Sequence, residues 1–458
     1  MKIPAKVLEL IRIFQNAGYK IYVVGGSSRA LLTNTFLPYV DWDFATNATP
    51  PEMLKLFPKN SFYENEFGTV SMVMGKGKNN VFEVTTFRKE QGYTDNRHPD
   101  KVVWGKTIEE DLSRRDFTIN AIAISITSNL HPPAGGPTSN KFKITDPFKG
   151  QKDLSAKVIR CVGNPDDRFS EDALRLMRAV RIATQLQFSI EEKTFASLRK
   201  NAAKIKNIAW ERINTELFKL LASEHPADGI ILLYTSGLLD FIIPELTVGK
   251  NVAQNKHHVH DVWTHNLETL RFCSAKDPLV RLAALLHDIG KPATAKGEGI
   301  NRSFHSHEVV GAAIAKKIGL RLRLSNKQID KLWRLVRWHQ FTPSENQTDS
   351  AIRRFIRRVG VENLQDILDV RTGDRLGSGV PKTSWRTELF KKRLVEVQKQ
   401  PFAIKDLKVN GHDVMEILKT KPGPKIGEIL ETLFKEVEED ITKNEREYLL
   451  KRIKDFSF

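Results

Sequence analysis

The spacing of apolar positions divides the chain into two parts. Apolar residues recur at helical spacing from Ile3 to Ala17, which predicts a helix that ends before a strand at Tyr19 to Val24. Short runs of alternating apolar and polar residues follow and predict more strands. These runs are Thr69 to Met74, Val81 to Phe87, Ile119 to Ile126 and Lys141 to Thr145. The first part is therefore predicted to mix helices and strands.

Beyond Asp146 the pattern changes to repeated helical periodicity with almost no alternation. We therefore predict an α+β fold, in which a mixed α/β head with a small, mainly antiparallel sheet precedes an elongated all-α region. Stretches rich in Gly, Asn, His or Pro near 249–260 and 377–384 favour boundaries there. The predicted domains are a head at 1–150, a helical neck at 151–222, a helical body at 223–378 and a helical tail at 379–458.

Composition points to a polyanionic partner. The chain of 458 residues has 72 Lys and Arg against 55 Asp and Glu, a net charge of +17, and 40% of its residues are hydrophobic. This composition is typical of a folded basic protein, whose excess charge favours nucleic acid or a membrane surface. Cys161 and Cys273 are too few for a disulfide framework. Because charged residues interrupt the apolar runs, we expect no signal peptide, no membrane span and a cytoplasmic location.

A glycine turn between a predicted strand and a predicted helix is the first candidate site. Gly25 and Gly26 let the backbone approach a phosphate, whose charge would be met by the helix N-terminus, the Ser27 hydroxyl and Arg29. The alternative is a plain tight turn, since the motif is neither a Walker A loop nor a dinucleotide fingerprint.

Two carboxylates follow the glycine turn. Alternation along a strand sends Asp41 and Asp43 to the same face, where they repel each other unless a cation lies between them. Magnesium prefers such oxygen ligands together with substrate phosphates, and two such ions can stabilise both oxygens of a phosphoryl transfer. The alternative is a solvated loop, where such pairs are common.

Four motifs in this order resemble the bacterial tRNA nucleotidyltransferase and poly(A) polymerase family, whose heads belong to the polymerase-β-like nucleotidyltransferases. The motifs are Gly25-Gly26-Ser27, Asp41-x-Asp43, Glu83 to Arg88 and Arg114 to Ala121. The resemblance implies that Asp41 and Asp43 hold catalytic metal ions, that Gly26 and Arg29 contact the triphosphate and that Arg115 contacts the nucleotide.

Two points within these motifs stay open. Glu83 is a candidate third carboxylate, and the alternative is an ion pair with Arg88 at the edge of a strand. The family has Val-Arg-Asp where this chain has Ser28-Arg29-Ala30, so a carboxylate that would support Arg29 is missing.

A polar stretch between Arg88 and Leu112 is the next feature. It contains Tyr93, Asp95, Arg97, His98 and Pro99. In the family a flexible loop here is associated with the switch from C to A addition, which argues against an enzyme that adds only C. The alternative is an inert surface loop.

The run Asn164 to Arg178 predicts one helix, capped by Ser170 or a nearby Asp. Asp172 and Arg175 would then be neighbours on one face, where an acceptor beside a donor suits the Watson–Crick edge of cytosine or adenine. The run resembles the family's Glu-Asp-x-x-Arg element, which implies that both residues select the base and that Arg178 and Arg181 contact the nucleotide. The alternative is a surface ion pair.

Histidines and aspartates spread over the predicted helical body suit a transition metal. The doublet His287-Asp288 within a Leu-Leu-His-Asp-Ile-Gly-Lys run resembles the HD phosphohydrolase superfamily. The resemblance implies a ligand set of His265, His287, Asp288 and Asp374, with Asp369 as the alternative to Asp374. The additional ligands of a dinuclear site would be His307 and His339.

Near the C-terminus, Pro422-Gly423-Pro424 with Lys425 and Gly427 resembles the tail of the same family, where an RNA phosphate could dock; the alternative is an interhelical turn. Together the resemblances imply addition of CCA to the 3′ end of tRNA from CTP and ATP, with no membrane or protein partner. Alternatives within the class are a poly(A) polymerase and an A-adding tRNA nucleotidyltransferase. An alternative of another class is an HD phosphohydrolase with an RNA-binding head.

Overall fold

The computed structural model describes residues 3–33, 42–63, 68–75, 80–91, 101–128, 140–254, 260–298, 301–398 and 404–456. The chain forms two compact units, Met1–Pro244 and Glu245–Phe458. Of the described helices, none is long and apolar enough to cross a membrane.

The N-terminal unit begins with a mixed sheet. Its strands are β1 (Ile21–Val24), β2 (Asp43–Thr46), β3 (Ser61–Tyr63), β4 (Thr69–Val73), β5 (Val81–Thr86), β6 (Arg88–Gln91), β7 (Lys101–Trp104), β8 (Ala123–Ser128) and β9 (Asn140–Thr145). Seven of these strands form a sheet in the order β3-β4-β5-β2-β1-β8-β9, while β6 and β7 pair with each other. Among the described strands of that sheet, β2 and β5 run parallel and the other neighbours run antiparallel.

Helices pack on the sheet with the apolar faces that the sequence predicts for them. They are α1 (Ala5–Asn16), α2 (Gly25–Thr33), α3 (Pro50–Leu56), α4 (Ile108–Ser113) and α5 (Gly150–Ser155). In α1 the buried residues Val7, Leu10, Ile11 and Phe14 recur at helical spacing and pack in one core with strand residues such as Phe44. The opposite face of β2 and β5 carries the acidic residues Asp43 and Glu83, which are partners in the register of the two strands.

The predicted strand Ile119 to Ile126 is partly wrong. Residues Thr118–Asn120 form a 3₁₀ turn, and β8 begins only at Ala123. The Asp116 side chain accepts hydrogen bonds from the Phe117 N–H and from Asn120, which stabilises the turn against an extended conformation. The predicted polar stretch after Arg88 contains β6 and β7, whereas Tyr93 to Pro99 and the loop 131–139 lie outside the described residues.

The rest of the N-terminal unit is helical apart from a short parallel ladder between β10 (Val158–Ile159) and β11 (Ser189–Ile190). Its helices are α6 (Pro165–Glu171), α7 (Leu174–Leu186), α8 (Glu192–Asn201), α9 (Trp210–Leu221), α10 (Pro226–Thr235) and α11 (Leu239–Ile242). In α7, residues such as Leu176, Ala179 and Val180 are buried, so the helix is held from several sides.

The C-terminal unit is helical throughout its described residues. Its helices are α12 (Val262–Phe272), α13 (Pro278–Leu286), α14 (Lys291–Thr294), α15 (His307–Arg321), α16 (Asn326–Arg337), α17 (Asp349–Val359), α18 (Leu364–Gly377), α19 (Trp385–Val397), α20 (Gly411–Leu418), α21 (Pro424–Glu439) and α22 (Arg446–Lys454). The last three share an apolar core that includes Val414, Leu433 and Leu449.

A substitution at Gly150 tests the packing of the N-terminal unit. A Cβ at this position would lie 2.2 Å from the Thr118 carbonyl oxygen, which belongs to the 3₁₀ turn. We expect Gly150→Ala to lower the free energy of unfolding by about 1–3 kcal/mol, as overpacking does. Urea unfolding followed by circular dichroism measures the change.

The control is Ser155→Ala at the end of the same helix, which removes only an exposed hydrogen bond to Gln151 and should change stability by less than about 0.5 kcal/mol. Equal midpoints for both variants would contradict the tight contact at Gly150.

Candidate active sites

The glycine turn brings one carboxylate and one arginine together in the N-terminal unit. Gly25 has a φ of +68°, a conformation that favours glycine. A Cβ on Gly25 would lie 3.2 Å from Asp43 Oδ2 and 3.3 Å from Arg115 Nη1. The absence of a side chain therefore lets the backbone, Asp43 and Arg115 converge on one point.

A second carboxylate lies beside Asp43. The parallel register places Asp43 opposite Glu83, so both side chains project from the same face of the sheet. Asp41 lies outside the described residues. Neighbouring carboxylates repel each other unless a cation lies between them, and hard divalent ions prefer oxygen ligands. The donor chemistry of Asp43 and Glu83 thus fits a divalent metal ion.

The hydroxyl of Ser27 makes its hydrogen bonds within the protein. It is fully buried, donates to the Val24 carbonyl at 2.7 Å and accepts from the Asp43 N–H at 3.3 Å. In this conformation the hydrogen bonds of the hydroxyl are directed into the protein, and its contact with a phosphate stays a prediction. Ser27 fixes the start of β2 and with it Asp43.

Arg29 is supported by an asparagine in place of the carboxylate that the sequence lacks. Its Nη1 donates to Asn120 Oδ1, and Asn120 Nδ2 donates to Asp116 Oδ1 at 3.1 Å. Asp116 in turn accepts from Arg178 Nε at 2.8 Å. Burial lowers the pKa of Arg29 to about 10, an effect that the charge of Asp116 opposes. Arg29 and Arg178 thus belong to one hydrogen-bonded chain.

Asp116 is the buried anion of that chain. Burial alone would raise the pKa of its carboxyl, but the Arg178 guanidinium outweighs burial and holds this pKa well below its usual range. Asp116 therefore stays ionised and keeps Arg178 in place.

Arg115 is oriented by Asp111, a residue to which the sequence analysis gave no role. Asp111 is fully buried within α4 and accepts from Arg114 at 2.6 Å and from Arg115 at 3.0 Å. The sequence contained a signal for these contacts, because Asp111 precedes Arg114 by three residues and Arg115 by four. Residues at these spacings on a helix are neighbours. What the sequence could not reveal was that Asp111 is buried.

The predicted single helix from Asn164 to Arg178 is wrong. Helix α6 ends at Glu171, and Asp172 has extended backbone angles before α7 begins at Leu174. The Asp172 side chain accepts from the Leu174 N–H at 3.0 Å, a local bond that competes with the helix. The cap of α6 is Asn164 rather than Ser170.

This break separates Asp172 from Arg175. Asp172 pairs with Arg212 of α9 at 2.9 Å, whereas Arg175 donates to Glu171 and to the Arg114 carbonyl. The two side chains therefore do not pair as neighbours on one helical face. Both nevertheless lie at the junction of α6 and α7.

Arg181 is held from α9 as well. Its Nε donates to Glu216, which is buried. The nucleotide contacts that we predicted for Arg178 and Arg181 thus concern two arginines whose positions are fixed by buried carboxylates.

In the C-terminal unit, all six predicted ligands of the HD-type site come together. They stand on five segments and are each at most 8% exposed: His265, His287, Asp288, His307, His339 and Asp374. Asp369 lies elsewhere and bonds Ser274 and Gln365, so the structure favours Asp374 over its alternative.

Asp288 joins two halves of the cluster. Its Oδ2 lies 3.3 Å from His265 Nε2 and 3.2 Å from His287 Nε2. Its Oδ1 lies 3.2 Å from His307 Nε2 and 3.5 Å from His339 Nε2. In each half the ligand atoms lie within 4.8 Å of one another. The cluster therefore offers two adjacent groups that could hold divalent metal ions.

Backbone carbonyl groups orient three of the imidazole rings. Nδ1 of His287, His307 and His339 lies within 2.8 Å of a backbone carbonyl, so it donates there and leaves Nε2 facing the centre. Burial would lower the pKa of His265, but hydrogen bonds to Asp288 and Asp374 raise it to about 9. Facing imidazole nitrogens among buried carboxylates fit a transition metal better than magnesium alone.

Glycines let the helices that carry these ligands approach closely. A Cβ at Gly290 would lie 2.1 Å from the His307 carbonyl oxygen, and one at Gly373 would lie 2.5 Å from the Thr269 carbonyl oxygen. The first contact sets His307 against the His-Asp doublet, and the second sets α18, with Asp374, against α12. Such distances leave no space for a side chain.

A cavity of about 570 Å³ opens beside the cluster and is lined in part by Asp288, His307, His339 and Asp374. Lys291, Arg371 and Arg375 also line it. Two of these cations contact the cluster: Lys291 Nζ lies 2.6 Å from Asp288 Oδ2, and Arg371 Nη1 lies 2.5 Å from Asp374 Oδ2. The sequence analysis gave neither cation a role, although Lys291 follows the doublet by three residues.

Three family models match successive parts of the chain. The Poly A polymerase head domain matches residues 21–160, the probable RNA and SrmB-binding site of polymerase A matches 187–249, and the HD domain matches 262–369. The fold and the two groups of residues thus define a nucleotidyltransferase with an HD domain.

Individual relatives narrow this class to tRNA nucleotidyltransferases. The CCA-adding enzyme of Ligilactobacillus salivarius is 32% identical over 98% of this chain and 96% of its own. The A-adding tRNA nucleotidyltransferase of Deinococcus radiodurans is 36% identical over 71% of this chain and 74% of its own. The crystal structure of the Bacillus stearothermophilus CCA-adding enzyme in complex with CTP matches with a TM-score of 0.71 at 28% identity, over 98% of this chain and 97% of that one. The chain belongs to the family of CCA-adding tRNA nucleotidyltransferases.

Asp111→Asn tests the support of Arg115. The substitution keeps the shape of the side chain but removes the charge that two guanidinium groups share, and bonds to charged groups contribute about 1.5–3 kcal/mol. We expect CTP to bind about tenfold more weakly, as isothermal titration calorimetry would measure. Asp166→Asn is the control, because Asp166 bonds Ser197 and Lys200 away from Arg115. Equal CTP affinity in both variants would contradict the role of Asp111.

Gly290→Ala tests the packing behind His307. The added methyl group must displace the His307 backbone, and disturbed support of a metal ligand typically costs about tenfold to a hundredfold in affinity. We expect a lower content of divalent metal ion than in the wild-type protein, measured after dialysis. Gly427→Ala, in open space on α21, should keep the wild-type metal content. Unchanged metal content in Gly290→Ala would refute the tight contact.

Proposed function

We propose that this protein adds the CCA sequence to the 3′ end of tRNA from CTP and ATP. The observation that carries the proposal is the convergence of Asp43 and Arg115 on Gly25, with Glu83 beside Asp43. It occurs in a chain that aligns over nearly its whole length with a CCA-adding enzyme. A relative that adds only A also exists, so the choice of nucleotide needs a direct test.

The residues of the head would act on the triphosphate and on the RNA end. Gly26 and Arg29 would hold the triphosphate at the N-terminus of α2, and Arg115 would contact the nucleotide. Asp41, Asp43 and Glu83 would hold magnesium, which when bound neutralises charge on the phosphates and favours the ionised 3′-hydroxyl. The 3′ oxygen then bonds the α-phosphorus, the bond to the β-phosphate oxygen breaks, and pyrophosphate leaves.

Base selection would use Asp172 and Arg175. Asp172 would accept from the exocyclic amine that cytosine and adenine share, and Arg175 would donate to a ring acceptor. In this conformation the partners of the two side chains are Arg212 and Glu171, so an incoming base would compete for them. Arg178 and Arg181 would add nucleotide contacts from the same helix.

A second activity is favoured by the HD-type cluster. We propose that its ligands hold a divalent transition metal, which when bound lowers the pKa of water, and that the cavity takes phosphomonoesters or cyclic phosphodiesters. Lys291 and Arg371 at the cavity would attract the phosphate. Since tRNA is the proposed substrate of the head, we also propose a cytoplasmic location.

A tRNA transcript that lacks its CCA end tests the head. With magnesium, CTP and ATP, we expect the wild-type protein to add CCA and stop, as sequencing of the products would establish. Asp43→Asn should lower the rate by at least about a thousandfold, because a metal ligand is lost. The matched control is His287→Ala with Asp288→Ala, which should leave incorporation intact and abolish phosphatase activity.

Other products would decide between the alternatives. Long A tails would indicate a poly(A) polymerase, and A added only to an end in CC would indicate an A-adding enzyme. Incorporation that survives Asp43→Asn would refute the polymerase assignment of the head.

A further inference from the structure

Helix α17 carries four arginines with two different environments. Arg353 and Arg357 point to α21, where they donate to the Glu438 carbonyl and carboxylate. Arg354 and Arg358, one turn apart, are exposed. Among the residues that the structure describes, neither of them has a carboxylate within 4 Å. Arg353 and Arg357 therefore hold α17 against α21. Arg354 and Arg358 form a neighbouring stripe that presents two uncompensated positive charges.

A tryptophan extends this charged stripe to the end of α16. The Arg358 guanidinium lies over the Trp338 ring, 4.9 Å from its centroid, and Arg337 lies over the same ring at 4.1 Å. A guanidinium that stacks on an indole keeps its N–H groups free at its edge, where they can bind phosphate oxygens. Trp338 thus preorganises the uncompensated Arg358 next to Arg354, while Arg337 is shared between the indole and Glu308. We name these four residues the arginine platform: Arg337, Trp338, Arg354 and Arg358.

The arginine platform borders the cavity of the HD-type cluster. Arg337 Nη1 lies 3.4 Å from Glu308, which follows His307 and lines that cavity. Trp338 directly precedes the ligand His339. A polyanion on the platform would therefore lie beside the metal cluster.

We propose that the arginine platform binds the phosphate backbone of RNA. The charges form a stripe along the helix, which suits contacts to successive phosphates, and the chain has a net charge of +17. A membrane surface is disfavoured, because Ile352, Ile356 and Val359 of α17 are buried and Phe355 packs against Phe390 in the core beneath the helix. This inference depends on the proposed function in one respect, which is that the ligand is RNA.

The test is the affinity of the full-length protein for a tRNA transcript without its CCA end, measured by fluorescence anisotropy at several KCl concentrations. Each lost phosphate contact lowers the slope of log Kd against log salt by about 0.7–0.9. Arg354→Gln with Arg358→Gln should therefore lower the slope by about 1.4–1.8 and weaken binding roughly tenfold to twentyfold near 0.15 M salt. Trp338→Leu should give a smaller loss of affinity.

The control variant removes two positive charges of the same unit that are already paired with carboxylates. Arg386 lies over Trp385 but is paired twice with Glu345, and Arg452 is paired with Glu436 and Asp455. We expect Arg386→Gln with Arg452→Gln to leave the slope unchanged. An equal effect of both double variants, or no effect of the first, would overturn the proposal.

Kinetics separate this inference from the proposed function. The platform variant should raise the KM for tRNA about tenfold while kcat and the KM for CTP stay at their wild-type values, because none of its residues is among those proposed to bind the nucleotide. If the wild-type protein adds no nucleotide, the proposed function fails while the binding test still decides the platform. Weaker binding to vesicles with anionic phosphatidylserine, with unchanged binding to tRNA, would assign the platform to a membrane and refute RNA.

Discussion

A buried carboxylate is stable only where positive charge or hydrogen-bond donors face it, and both sites of this protein are built on that constraint. In the head, Asp111 and Asp116 are each more than nine-tenths buried and fix the arginines that surround the glycine turn. In the HD-type cluster, Asp288 is buried among histidines and Lys291. The charges that would act on phosphates are thus held by anions that water does not reach.

Close backbone contact is the second requirement. Gly25 lets Asp43 and Arg115 converge, and Gly290 and Gly373 let helices pass within a distance that no side chain allows. Because protein interiors are packed nearly as densely as crystals, each close contact fixes the position of one ligand relative to the next. The geometry of both sites therefore depends on residues that carry no reactive group.

The sequence predicted the fold class well, because amphipathic periodicity is a local property. The mixed head and the helical remainder are confirmed, and the face of α1 that packs on the sheet follows its apolar spacing. The failures occur where a side chain bonds its own backbone. Asp116 converts the start of a predicted strand into a turn, and Asp172 breaks a predicted helix. Such hydrogen bonds compete with helices and strands through small differences in free energy. The spacing of apolar residues does not reveal these differences.

The motifs by themselves predicted which residues belong to each site, since phosphate loops, paired carboxylates and histidine doublets are chemical patterns within a few residues. Only the tertiary structure decided which partner each of them has. It assigned Asn120 to Arg29, Asp374 rather than Asp369 to the cluster, and separate partners to Asp172 and Arg175. These pairings join segments far apart in sequence, and burial selects among them, because a charge without a partner is costly only where water is excluded.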